Sequence, residues 1–166
     1  IIRRGFYYST SIKELDVTHK NTLTNLITYI NRTIYQKLKN DTLLIQVILK
    51  LFWCLSNNKY LIPILVEINF IQFILQWLDI SITETKLYQR EMIHIIRNLV
   101  QHEDGVQSLN QHQAINIINK FQNQEQIKTE SELIVLGRMI WALLSTPEQI
   151  KNNQQRMNNV LDELMG

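Results

Sequence analysis

Apolar residues at Leu23, Leu26, Ile27, Ile30, Ile34 and Leu38 advance by three or four positions, which sets them on one stripe of a helix and leaves Thr28, Asn31, Arg32 and Lys37 off it. Asn40 and Asp41 interrupt this amphipathic helix with capping side chains. The run LLIQVILKLFWCL follows, from Leu43 to Leu55, apolar on almost every side and so in need of cover from several neighbours. The stretch from Lys59 to Leu78 is long enough to raise a membrane span. Pro63, Glu67, Asn69, Gln72 and Gln76 would then sit in hydrocarbon, the carboxylate alone at a cost of ~3 kcal/mol. Two short buried helices divided near Asn69 fit the pattern better.

Ser81-x-x-Glu84 has the spacing of a capping box, in which each side chain meets the other residue's free backbone donor, and predicts the start of a helix carrying Leu87, Tyr88, Met92, Ile95, Ile96 and Leu99. His102-Glu103-Asp104-Gly105 ends it. A short helix over 106–113 and another with Ile115, Ile118 and Phe121 come next, followed by a polar linker over 122–128. Thr129-x-x-Glu132 predicts the cap of a helix through Leu133, Leu136, Ile140 and Leu143. Thr146-Pro147-Glu148-Gln149 predicts another, with proline at the first position, and Val160, Leu161 and Leu164 form a last apolar face.

Three helix ends can be superposed: FWCLSN (52–57), IHIIRNL (93–99) and IWALLS (140–145). With Leu55, Leu99 and Leu143 in register the spacing is 44 twice (99 − 55 and 143 − 99). With Trp53, His94 and Trp141 in register it is 41 and then 47 (94 − 53 and 141 − 94). The two differ by about one helical turn, and a period in the low forties is that of armadillo and HEAT units. The residues themselves resemble the armadillo-type helical repeat family, whose third helix ends in a W-A-L-S-N-like segment. Trp53-Cys54-Leu55-Ser56-Asn57 matches closely; His94-Ile95-Ile96-Arg97-Asn98 keeps the Asn and has His for Trp; Trp141-Ala142-Leu143-Leu144-Ser145 keeps the Trp and has Ser for Asn. The glycine usual between the first and second helices is absent, and Asn69 stands near its place.

The resemblance implies an all-α, right-handed α-solenoid in a single domain over 1–166, with units over about 1–57, 58–101, 102–145 and a partial 146–166. It also implies a wall of third helices that holds an extended peptide. A Trp and an Asn four apart project from one helix face, the first offering a flat apolar surface and the second an amide for the peptide main chain. Trp53, Asn57, His94, Asn98 and Trp141 are the groove candidates. Each has a plainer reading beside it: a Trp in the run Leu51-Phe52-Trp53-Cys54-Leu55 can be core, and Asn57 and Asn98 can cap helix ends.

Composition narrows the chemistry. Only 4 Gly and 2 Pro argue against a fold of many tight β-turns. A net charge of +2 gives no overall field for phosphate backbones or acidic lipids, and Arg3-Arg4, Lys37/Lys39 and Arg90/Arg97 read as scattered pairs, so neither nucleic acid nor membrane is expected as a partner. Cys54 cannot form an intrachain disulfide and, between Trp53 and Leu55, reads as a buried, inert thiol in an intracellular, cytoplasmic chain. The chain opens Ile1-Ile2-Arg3-Arg4, which suggests a segment of a longer protein, and neither end offers a polar cap: Phe6, Tyr7, Tyr8, Leu161 and Leu164 are expected to be partly exposed.

Glu91-x-x-His94 and Asp16-x-x-His19 have the carboxylate–histidine spacing of di-iron bundles, but beyond Glu67 no fourth inward carboxylate presents itself, and His94, Asn98 and His102 share a stripe without a cysteine nearby in sequence. No phosphate loop, nucleophile elbow or dinucleotide fingerprint occurs. No metal, cofactor or small-molecule substrate is expected, and no catalysis. The expected function is a scaffold for a protein or peptide segment. The alternative is a structural or autoinhibitory array within a larger signalling protein, TIR-containing ones among them, whose activity lies elsewhere.

Overall fold

The computed structural model describes residues 8–35, 42–85, 87–146 and 155. Asn40, Asp41, Phe6, Tyr7, Pro147, Val160, Leu161 and Leu164, on which several expectations rest, lie outside them. The described residues are predominantly helical, with no strand among them. In chain order the helices are α1 (Tyr8–Tyr35), α2 (Thr42–Ser56), α3 (Ile62–Glu67), α4 (Phe70–Ile80), α5 (Gln89–Leu99), α6 (Glu103–Gln111), α7 (Ala114–Gln122) and α8 (Ser131–Leu144). None is long and apolar enough to cross a membrane.

Most elements follow from the apolar spacing. Leu23, Ile27 and Ile30 are buried on α1 while Thr24 and Thr28 are exposed and return their hydroxyls to carbonyls four residues back. The helix reaches back to Tyr8 and includes the Asp16–His19 segment. Between Lys59 and Leu78 the division at Asn69 holds: Pro63 sits in the first turn of α3, where its missing N–H costs nothing, and α4 buries Phe70, Ile71, Ile74, Leu75, Trp77 and Leu78.

Two expected capping boxes do not form. The chain after α4 runs on as a π-helical turn, Ser81–Thr85, which keeps Ile82 buried, and the Ser81 hydroxyl donates to the Leu87 carbonyl at 2.5 Å. α5 therefore starts only at Gln89, after Tyr88 at φ 61°. Likewise the Thr129 hydroxyl closes the 3-10 turn Glu125–Thr129 on the Gln126 carbonyl, and Glu132 turns to Arg90 and His94. His102–Gly105 does not end α5, which stops at Leu99. Glu103 and Asp104 open α6 instead, where carboxylates suit the positive end of the helix dipole.

Like-placed helices lie side by side: α4 packs between α1 and α7, α5 between α2 and α8, and α3 against α6. Leu55, Leu99 and Leu143, which set the 44-residue register, are half-buried, buried and 49% exposed, while other residues 44 apart are buried together. Ile45, Leu49, Phe52 and Ser56 of α2 are buried, as are Gln89, Ile93, Ile96 and Val100 in and just after α5, and Leu133, Gly137, Ile140 and Leu144 of α8. Gln89, the larger of two polar members, is satisfied: its side-chain amide donates to the Ser81 carbonyl and to Gln124 Oε1, while its Oε1 accepts from Gln124 and Gln126. Phe52 stacks on Phe70 with ring centroids 4.4 Å apart, and Trp77 meets Phe70 edge-on.

One flank of α2 stays open. Leu43 is 73% exposed, Leu44 45%, Val47 54% and Leu51 42%, and Cys54 lies on the same side. This corrects the expectation of a buried thiol. Val47, Leu51 and Cys54 stand 44 residues before Glu91, Ile95 and Asn98, which are buried on the side of α5 that meets α2. The flank that α2 covers on α5 is uncovered on α2 itself, so a helix apolar all round is enclosed on only part of its circumference.

Asn69 and Gln113, also 44 apart, both take left-handed backbone angles, φ 58° and φ 55°, at the joints before α4 and α7. Asn tolerates this region and Gln does not. Gln113→Gly is expected to raise the urea midpoint by a stability gain of about 0.5–1 kcal/mol, the relief of strain outweighing the added freedom of the unfolded chain, and Asn69→Gly by less. Equal gains at both sites would show that strain at Gln113 is not the cause.

Candidate functional site

The five groove candidates fall on the row α2–α5–α8. Trp53, on the last turn of α2, is half-buried and stacks on the imidazole of His94 of α5, ring centroids 4.1 Å apart and planes 16° from parallel. His94 Nε2 lies 3.2 Å from Glu132 Oε1 of α8, and Glu132 Oε2 accepts from Arg90 Nη2 at 2.7 Å. The imidazole side chain, 14% exposed, thus bridges the aromatic face of one neighbouring helix and the carboxylate of the other. Neither contact was readable from spacing alone, because each joins helices far apart in sequence.

Asn98 is buried and occupied. Its Nδ2 donates to the Trp53 carbonyl at 3.3 Å and to Ser56 Oγ at 3.0 Å, and Ser56 Oγ donates to the same carbonyl. Two side-chain donors, one from α5 and one from α2 itself, thereby satisfy a carbonyl in the last turn of α2, where backbone amide partners run out. Asn98 Oδ1 accepts from Arg97 Nη1 at 3.2 Å. Asn57 lies just past α2, exposed, with its backbone N–H on the Cys54 carbonyl. Trp141 is half-buried against the core on α8, so α5 separates it from Trp53, and its carbonyl accepts from Ser145 N and Oγ. The structure therefore joins Trp53, His94 and Asn98 at the α2–α5 seam and leaves Asn57 and Trp141 at its two sides.

The solvent-facing strips of these helices repeat at four, three and four residues: Gln46, Lys50, Trp53 and Asn57 from α2; Arg90, His94, Arg97 and Gln101 from α5; Ser131, Val135, Arg138 and Ala142 from α8. Sequence reasoning overlooked Lys50 and Arg138 and read Arg97 as half of a scattered pair. Only the pairing of helices places all three on one row. Glu91, the acid beside His94 in sequence, is buried and accepts from Gln46 Nε2 at 3.1 Å, so it faces α2 and not the strip. Among the described residues no three His, Cys, Asp or Glu side chains converge as metal ligands. No family model, curated protein or solved structure matches the chain.

Proposed function

We propose that the chain is a right-handed α-solenoid of armadillo-type repeats and a non-catalytic scaffold, holding an extended segment of a partner protein along the strips of α2, α5 and α8. Supporting the array, contacts between helices recur at about one repeat's separation: Trp77 Nε1 to Asn31 Oδ1 over 46 residues, Gln46 to Glu91 over 45, Asn98 to Ser56 over 42, Lys120 to Asp79 over 41. Units that touch only their neighbours have this signature. Helices α1 and α2 fall in 1–57, α3 to α5 in 58–101 and α6 to α8 in 102–145.

The observation that carries the binding reading is the Trp53–His94 stack, an aromatic pair that joins two helices on a solvent-facing strip. Such a pair receives the stems of peptide side chains. Three helices at about 8–10 Å spacing span about 16–20 Å between the outer axes and call for roughly seven extended residues. A phage-displayed random library of peptides of about that length, panned on the chain, is expected to yield binders that are lost on Trp53→Ala while the far-ultraviolet circular-dichroism spectrum remains that of the folded helical chain. No enrichment, or binders indifferent to Trp53→Ala and His94→Ala, would remove the reading.

A further inference from the structure

Formal charge is sorted between the helix rows. On α2, α5 and α8 the solvent-facing charges are Lys50, Arg90, Arg97 and Arg138 against Glu132 alone, and Glu132 is taken by Arg90 and His94. On α3, α4, α6 and α7 they are Glu67, Asp79, Glu103 and Asp104 against Lys120, and Lys120 pairs with Asp79 at 2.9 Å while Glu67 pairs with Lys20 of α1 at 2.7 Å. The net charge of +2 hides this polarity, which arises from placement and not from composition. Three cations remain on the strips without an acid opposite among the described residues: Lys50, Arg97 and Arg138, one from each helix, with the Trp53 and His94 rings between the first two.

We propose that the segment held along this row is an acidic polypeptide in extended conformation, with Asp or Glu at about every third residue; the inference rests on the groove reading above and specifies its ligand. Neighbouring helices lie about 8–10 Å apart, and an extended chain advances ~3.3 Å per residue, so successive cations meet carboxylates three positions apart. The two residues between are free to lay apolar stems on the Trp53–His94 face. Charge complementarity of this kind selects the partner and speeds its encounter. A polynucleotide fits less well: one unpaired cation per helix is sparse against a charge at every nucleotide, and the remaining cation of the strips, Arg90, is held by Glu132.

The test is fluorescence anisotropy on the intact chain with four labelled probes: a peptide of repeated Glu-Ser-Thr triplets, its Gln-for-Glu and Lys-for-Glu counterparts, and polythymidylate. The acidic peptide is expected to bind about tenfold or more tighter than the Gln peptide and to weaken as salt rises. Lys50→Gln and Arg138→Gln, both at exposed positions, should each cost about two- to fivefold in affinity. Arg97→Gln should cost as much and Arg97→Lys less, which separates its charge from its bond to Asn98. Lys120→Gln, on the outer row, should change nothing. Equal binding of the Gln peptide, or preference for the Lys peptide, overturns the acidic specificity while leaving the groove reading in place. Tighter binding of polythymidylate, or no binding of any peptide, overturns it as well; the display selection judges the groove itself.

Discussion

Gly105→Ala is expected to destabilise the protein by about 3 kcal/mol or more, the largest effect of any one-methyl addition to this fold. Gly105 is buried in the first turn of α6, against the end of α5. A Cβ there would fall onto the Leu99 carbonyl oxygen, with the Leu99 carbonyl carbon 2.9 Å away. Backbone cannot rotate aside as a side chain can, and the same carbonyl accepts from His102 N in the turn between the helices. The whole of α6 would have to lift, together with its packing on α3 and α7. The gain in helix propensity from Gly to Ala, at most ~1 kcal/mol, does not offset this. Gly137→Ala is the internal comparison: its Cβ meets Gln122 Cγ at 3.1 Å and Nε2 at 3.2 Å, the outer part of a flexible side chain. Urea unfolding should show Gly137→Ala costing under about 1.5 kcal/mol. A Gly105→Ala protein as stable as Gly137→Ala would mean that α6 does not sit as tightly on α5 as described.

Trp77→Ala comes next, with an expected loss of about 3–5 kcal/mol. Trp77 is 1% exposed on α4, edge-on to Phe70 and tilted against Phe73, both ring pairs at 6.2 Å. Its indole N–H donates to Asn31 Oδ1 of α1 at 3.2 Å, so the residue fills the core and ties α4 to α1 at once. Trp77→Phe separates the two contributions. It retains most of the apolar volume and gives up the hydrogen bond and part of the ring, for an expected cost of about 1–2 kcal/mol. Asn31 is only half-buried, so water can reach the oxygen left behind. Chemical denaturation followed by far-ultraviolet circular dichroism checks both, and a Trp77→Ala loss below that of Trp77→Phe would contradict the packing role.

Helix positions were readable from the chain where burial is one-sided, as on α1, because the apolar spacing is then the burial pattern; on α8 Leu133 and Ile140 followed it, whereas Leu143, expected on the same face, is 49% exposed. Junctions were not readable. Ser81 and Thr129 have capping spacing, yet the first is absorbed by a π-helical turn that keeps Ile82 inside, and the second closes a 3-10 turn around buried Ile127. In both places tertiary burial of one isoleucine outweighs a cap worth roughly 1 kcal/mol. Cys54 was misjudged for a related reason: local sequence reports that its surroundings are apolar and says nothing of whether a partner covers them. Trp53 and His94 were found through their likeness to a repeat ending, whereas Glu132, Lys50 and Arg138 carry no local signature. Their place on one row exists only once α2, α5 and α8 stand side by side.

The open side of α2 also has a practical consequence. Cys54 is the chain's one cysteine, and it is exposed one residue from Trp53. A maleimide dye therefore has a single point of attachment, beside the aromatic seam and outside the core. Wild-type protein can be tagged there directly, turning the open flank of α2 into an optical reporter of whatever settles beside it.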